Sequence, residues 1–76
     1  MTVKEFCMRH TKVGELVVIR DCGYIVHEVW IDIEDIFVLS KKYAEKEVKK
    51  DEWGYLQITT EHGDKIMVPC HYLDVN

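Results

Sequence analysis

Two pairs of apolar segments, each pair joined by a short connection that contains glycine, restrict this chain more than any other feature. The first pair is Leu16 to Ile19 and Tyr24 to Ile31, with Asp21-Cys22-Gly23 between them. Two apolar runs around such a connection predict a β-hairpin. In the second run neither alternating set of side chains is purely polar. We therefore expect its strand to be central in the sheet, with both faces partly covered.

The second pair of segments predicts a tighter hairpin. Its strands are expected at residues 53–60 and 65–68, with a turn over residues 61–64. Apolar side chains alternate along both strands, so one face of each carries a regular set, namely Leu56 and Ile58 on the first and Ile66 and Val68 on the second. Pro69 cannot donate to a β-ladder, so we expect the last strand to end there.

The start of the chain predicts a helix. Thr2 and Glu5 have the spacing of a capping box, in which each side chain accepts a hydrogen bond from the other residue's backbone N–H. Three apolar residues then fall on one helical face at i, i+3 and i+4, namely Val3, Phe6 and Cys7. We place this helix at about residues 2–10, with a stop near Gly14.

The middle of the chain predicts one or two short helices or turns within residues 32–47, with Ser40 as a candidate N-cap. The order of helix, hairpin, short helix and hairpin predicts an α+β fold with a small antiparallel sheet. A length of 76 residues predicts a single domain over 1–76. A chain of this size buries only about 60% of its unfolded surface, so a disulfide, a metal or a partner often stabilises it.

Charge and composition exclude several classes of function. The formal net charge of −4 disfavours direct binding to nucleic acid, but it suits a basic protein partner, including one that itself binds nucleic acid. No apolar run reaches the roughly 20 residues that would cross a membrane, and the first residues lack the apolar segment of a secretion signal. Three cysteines, an odd number, suggest reduced thiols. We therefore expect a cytoplasmic protein.

The segment from Trp53 to Val75 resembles the last two strands of an SH3 domain. It has a Trp that opens a strand, a turn at His62-Gly63, and then a Pro and a Tyr at P-x-x-Y spacing. In that family these three residue types line a groove for proline-rich peptides, and the matching positions here are Trp53, Pro69 and Tyr72. The family's aromatic ALYDY strand has no counterpart, because the predicted helix stands in its place. The resemblance implies a small SH3-like barrel of two hairpins more than it implies proline-motif binding.

Most of the chain is similar to small proteins from phages and mobile elements of Gram-positive gut bacteria. The likeness lies in the opening Met-Thr-Val-Lys-Glu-Phe, an apolar strand that ends in Arg-Asp, a helical stretch that closes in Lys-Glu-Val, and the terminal hairpin. Some small proteins of such elements inhibit host defence nucleases, including CRISPR effectors. The resemblance implies an inhibitor of host nucleic-acid machinery. We predict more broadly a non-catalytic protein-binding module of phage or mobile-element type, with a zinc-stapled domain or a homodimeric protein as the alternatives.

Cysteine and histidine are frequent enough in this chain for a zinc site to be considered. Cys7 and His10 have C-x-x-H spacing on one helix face, and Cys70 would be a third ligand. A second C-x-x-C or H-x-x-H motif is missing from the sequence, and free Cys is usually a small core residue. We therefore predict no metal and no cofactor, and keep a zinc-stapled structural domain as the alternative. A nucleophile elbow and a glycine-rich phosphate loop are also missing, so we expect no enzyme.

Aromatic and acidic residues are the candidates for partner binding. Tyr and Trp are enriched at binding hot spots, and we select as anchors Trp53, Tyr55 and Tyr72. The densest acidic run is expected to complement a basic partner, and it comprises Glu28, Asp32, Glu34 and Asp35. The alternative for these acids is the solvated first turn of a helix. For Trp53 the alternatives are a core position and a homodimer contact at an open sheet edge.

Overall fold

The computed structural model describes residues 1–31 and 41–76. In chain order, the elements are α1 (Val3–Arg9), β1 (Leu16–Asp21), β2 (Tyr24–Trp30), α2 (Lys41–Ala44), β3 (Lys50–Thr59) and β4 (Lys65–Asp74). This is the predicted α+β fold, with both hairpins, the N-terminal helix and a short middle helix in the predicted order. The part of the predicted middle segment that contains Ser40 lies outside the described residues.

The four strands form one mixed sheet in the order β2-β1-β4-β3. Each hairpin is antiparallel, whereas β1 and β4 run parallel, from Leu16 opposite Cys70 to Arg20 opposite Asp74. The parallel pair joins the two hairpins, and β2 and β3 form the edges. Within the described residues β2 and β3 do not pair with each other, so closure into an SH3-like barrel is not confirmed.

The prediction that the second strand is central was wrong. Strand β1 is one of the two central strands, and its residues from Leu16 to Ile19 are all at most 1% exposed. Strand β2 is an edge, and Tyr24, Ile25 and Val26 on it are exposed. Four consecutive apolar residues are typical of a strand covered on both faces, and β1 is the strand that has them.

Strand β4 does not end at Pro69, contrary to the prediction. Pro69 lies opposite Tyr55 of β3, and the pairing with β1 begins only at Cys70. At Pro69 the strand therefore has a neighbour on one side only. A residue without a backbone N–H is tolerated at such a position.

The capping box predicted for α1 is present. The Glu5 backbone N–H donates to Thr2 Oγ1 at 3.2 Å, and the Thr2 backbone N–H donates to Glu5 Oε1 at 3.1 Å. The predicted apolar face of α1 is buried against the sheet, together with residues of β1 and β4, and the main contacts are Val3, Phe6, Cys7, Val17, Ile19 and Leu73. We call this side of the sheet the helix-covered face. It holds the larger part of the core.

The opposite face of the sheet carries a second, smaller cluster. Leu16, Val18 and Cys70 are fully buried there, with Leu56, Val68 and Tyr72 packed against them. Because successive residues of a strand point to opposite faces, the two clusters are interleaved along β1 and β4. Each exposed side chain of the sheet therefore belongs to one face or the other by its strand register.

Candidate binding site

Strand β3 presents its largest exposed side chains on the helix-covered face. Trp53 lies opposite His71 and Tyr55 opposite Pro69, and paired residues of neighbouring strands point to the same side. The core residue Leu73 is two positions from His71, which identifies that side as the helix-covered one. Helix α1 packs over the β1 end of this face, and on the β3 side Trp53 is 53% and Tyr55 60% exposed. Two of the three predicted aromatic anchors therefore stand together on an accessible surface.

His71 links Trp53 to helix α1. Its ring meets the Trp53 ring edge-on, with 4.5 Å between centroids, and meets the Phe6 ring edge-on at 5.5 Å. Phe6 also packs against His10, the residue that caps the end of α1, at 5.3 Å. We call Phe6, His10, Trp53 and His71 the ring cluster. It joins the end of the helix to the hairpin through aromatic contacts.

Glu15 contacts the His71 ring through its carboxylate. Its Oε1 lies 3.2 Å from His71 Nε2 and also accepts a hydrogen bond from the Lys12 backbone N–H at 2.6 Å. The Lys12 hydrogen bond, followed by the contact with His71, lowers the pKa of Glu15, although desolvation opposes the shift. The carboxylate is therefore charged at neutral pH. It orients the imidazole whose ring edge packs against Trp53.

A groove of about 510 Å³ runs along the ring cluster. Its walls come from the start and end of the helical segment and from the hairpin, and its lining comprises Met1, Phe6, His10, Asp51, Trp53 and His71. That volume is within the range of small-ligand and side-chain pockets. Four of these six lining residues carry aromatic rings, and the other two are Met1 and Asp51, which supplies a carboxylate. The arrangement can hold a flat or a cationic group.

Tyr72, the third predicted anchor, lies on the opposite face of the sheet. Its ring crosses β3 above Gly54, and its hydroxyl donates to the Tyr55 carbonyl at 2.7 Å. The guanidinium of Arg20 lies 4.5 Å from the centroid of the Tyr72 ring, and Arg20 also pairs with Asp74 at 2.7 Å. The hydroxyl and the ring of Tyr72 therefore both have partners within the protein itself. Tyr72 therefore braces the hairpin and does not join Trp53.

Of the predicted acidic residues, Glu28 falls within the described part of the chain, and it lies away from the site. Glu28 lies opposite Val18 at the edge strand β2, which places it on the face opposite Trp53. Asp32, Glu34 and Asp35 lie outside the described residues. Among the residues that the structure describes, the carboxylates at the ring cluster are those of Asp51 and Glu15.

The alternative zinc ligands are not brought together. Cys7 is buried on the helix-covered face and Cys70 on the opposite face, in separate clusters. Burial raises the pKa of the Cys7 thiol to about 11 and raises that of Cys70 as well. Within residues 1–31 and 41–76, no three His, Cys, Asp or Glu side chains form a group that could hold a metal ion. Cys7 and Cys70 are both buried core residues.

The sequence interpretation missed His71 and Glu15 as members of the site. Strand alternation places His71 on the side of the sheet away from Cys70. Its meeting with Glu15, 56 positions earlier, depends on the parallel pairing of β1 and β4, for which no local pattern exists.

Comparison of the chain with protein-family models, with curated proteins and with solved structures gives no match. The two resemblances drawn from the sequence therefore stay predictions. In the part of the chain that the structure describes, each helix is too short to cross a membrane.

Proposed function

We propose that this protein is a non-catalytic binding module that contacts a partner protein through the helix-covered face of the β3–β4 hairpin. The observation that carries the proposal is the pair of exposed aromatic side chains, Trp53 and Tyr55, two residues apart on a regular strand. Aromatic anchors on a rigid element lose little conformational freedom on binding, which is why they dominate binding hot spots.

The surroundings of the two aromatic residues extend the surface. Met67 and Pro69 are exposed beside them on β4, and the groove along the ring cluster continues the surface toward α1. Exposed apolar patches on small proteins often mark sites of interaction. The net charge of −4 favours a basic partner, and nucleic-acid-binding proteins are a class that fits.

The non-catalytic part of the proposal is supported by the state of the thiols. Two of the three, Cys7 and Cys70, are buried with raised pKa values, so neither is an activated nucleophile. His71 contacts rings and a carboxylate, and its described contacts include no hydroxyl or thiol nucleophile. A base without a nucleophile beside it lacks the pairing that covalent catalysis requires.

The test compares two tryptophans on opposite faces. Trp53→Ala and Trp30→Ala both remove a half-exposed indole, since Trp30 is 49% exposed on the face opposite Trp53. We expect Trp53→Ala to weaken binding to the partner isolated with the wild-type chain by about 30-fold or more, which corresponds to roughly 2 kcal/mol for a hot-spot residue. Trp30→Ala is expected to bind as wild type does.

Binding is measured by calorimetry with the purified partner, after circular dichroism has shown that both variants are folded. Equal affinity of the Trp53→Ala variant and the wild type would refute the proposal. A larger loss with Trp30→Ala would place the contact surface on the other face.

A further inference from the structure

We infer that the groove beside Trp53 receives an arginine or lysine side chain of the partner, with its cationic group over the indole and next to the Asp51 carboxylate. This inference rests on the proposed function and adds the chemistry of the group that is recognised. It is carried by three features of the groove, which are its ring, its carboxylate and the absence of lysine and arginine among its described lining residues.

The ring is the first feature. Trp is the best aromatic partner for a cation, and attraction occurs when the cation lies within about 6 Å of the ring centroid. Trp53 is more than half exposed, while the contact with His71 takes only an edge-on approach at 4.5 Å. The His71 ring is itself held in place by contacts with Glu15 and Phe6, so the indole packs against a fixed neighbour. A supported ring of this kind loses little freedom when a ligand stacks on it.

The carboxylate is the second feature. Asp51 and Trp53 are two residues apart on β3 and therefore project from the same face, about 7 Å from each other along the strand. A guanidinium or ammonium group placed between them reaches both. In the described part of the chain no ion pair involves Asp51, whereas the neighbouring Glu52 is paired with Arg20 and Lys50. Asp51 is the carboxylate that is available to an incoming charge.

The third feature is the charge of the lining. The described residues that line the groove include Asp51 but no lysine or arginine, and the amino group of Met1 is paired with Glu47 at 2.8 Å. An incoming cation therefore meets a negative group and aromatic rings, without a lining side chain of permanent positive charge. An acidic ligand would be repelled by the Asp51 carboxylate and would find no lysine or arginine among the described lining residues. This complementarity agrees with the net charge of the chain and selects a basic occupant over an acidic one.

The probes are N-acetyl-arginine N-methylamide and its citrulline counterpart, which has nearly the same shape and no charge. They are titrated at pH 7.5 into the full ¹⁵N-labelled chain and followed by NMR, with the two indole N–H signals assigned from a Trp30→Phe variant. We expect saturable shifts at the Trp53 indole and at the backbone of Asp51 and His71 with the arginine probe. The citrulline probe is expected to bind at least about fivefold more weakly, because it loses both the charge pair with Asp51 and the cation–π contact with Trp53.

Asp51→Asn and Asp64→Asn provide the matched variants. Both are exposed and change the net charge equally, but Asp64 lies in the β3–β4 loop, outside the groove. Asp51→Asn should weaken the arginine probe by about fivefold, and Asp64→Asn should leave its affinity within about twofold of wild type. Equal affinity for arginine and citrulline, or equal effects of the two variants, would overturn the inference. So would stronger shifts from N-acetyl-proline N-methylamide, which would indicate a proline-rich occupant.

The two proposals fail separately. If the arginine probe leaves the groove signals unchanged while Trp53→Ala still loses the partner, the inference is wrong and the binding surface stands. If the probe binds at Asp51 and Trp53 while Trp53→Ala keeps the partner, the cation site is real and the proposed function is wrong.

Discussion

Gly54→Ala should destabilise the protein by crowding the Tyr72 ring. A Cβ atom at Gly54 would lie 3.0 Å from Tyr72 Cε2 and 3.2 Å from Cδ2, closer than ordinary carbon contacts. The ring is not free to swing away, because its hydroxyl donates to the Tyr55 carbonyl at 2.7 Å and Arg20 lies 4.5 Å from its centroid. Gly54 has no positive φ, so alanine suits the backbone and the effect isolates the side-chain contact.

The expected loss of unfolding free energy follows from the two contacts that the Tyr72 ring would weaken on moving, the hydrogen bond to Tyr55 and the cation–π contact with Arg20. Moving the ring costs about 1 kcal/mol for a weakened hydrogen bond and about 0.5–1 kcal/mol for the cation–π contact. The change from glycine to alanine also stabilises the folded state by about 0.4–1 kcal/mol, because it lowers the conformational entropy of the unfolded chain. The net loss of unfolding free energy is therefore about 1 kcal/mol, or roughly 4–8 °C in Tm for a domain of this size.

Urea and thermal unfolding, followed by circular dichroism, measure this loss. The control is Tyr72→Phe, which keeps the ring and removes the hydroxyl that anchors it. In that background Gly54→Ala should cost less, by about the value of the hydrogen bond, because the ring can then move. A Gly54→Ala variant as stable as the wild type would refute the crowding argument. An equal cost in both backgrounds would refute the role given to the hydroxyl.

Three further predictions concern the turn, the thiols and acid stability. Cys22 has a φ of 52°, so Cys22→Asn, which suits a left-handed position, should raise the unfolding free energy by about 0.5 kcal/mol in urea titrations; an unchanged midpoint would count against it. In native protein at pH 8, mass spectrometry after thiol labelling should find only Cys22 modified. The labelling should be slow, because a hydrogen bond with Asp21 raises the pKa of the Cys22 thiol. Modification of Cys7 or Cys70 at a similar rate would contradict their burial. The lowered pKa of Glu15 stabilises the fold above its ordinary value of 4.5, and this stability is lost as the pH falls through the folded-state value. The Tm of the wild type should therefore fall more steeply below about pH 4.5 than that of Glu15→Gln, and parallel curves would disprove the effect.

Local signals predicted the helices and hairpins of this chain, and long-range pairing supplied the rest. The capping box of Thr2 and Glu5 and the two glycine-containing turns act over a few residues, so their outcome can be predicted from sequence. The parallel pairing of β1 with β4, which sets Arg20 opposite Asp74, joins segments about 50 positions apart. No local pattern encodes such a contact. The misplacement of β2 as a central strand has the same origin, since strand order is decided by that pairing.

The candidate site was predictable only in part for the same reason. Residue type was enough to select Trp53, Tyr55 and Tyr72 as candidate anchors, but it could not say which of them shared a face. Strand register puts Tyr72 over Gly54 on one side, and Trp53 beside His71 on the other. Glu15 joins the site through the tertiary arrangement alone.

The exposure of Trp53 and Tyr55 follows from a mismatch of lengths. Helix α1 has seven residues and is about 10 Å long, whereas the ten-residue strands β3 and β4 extend about 34 Å each. The helix covers the part of the sheet where β1 pairs with β4, including Leu73, and Phe6 contacts the ring of His71 beside it. The rest of the hairpin projects beyond it. A longer helix on this face would bury these aromatic side chains as part of the core, so the shortness of α1 accounts for the exposure of Trp53 and Tyr55.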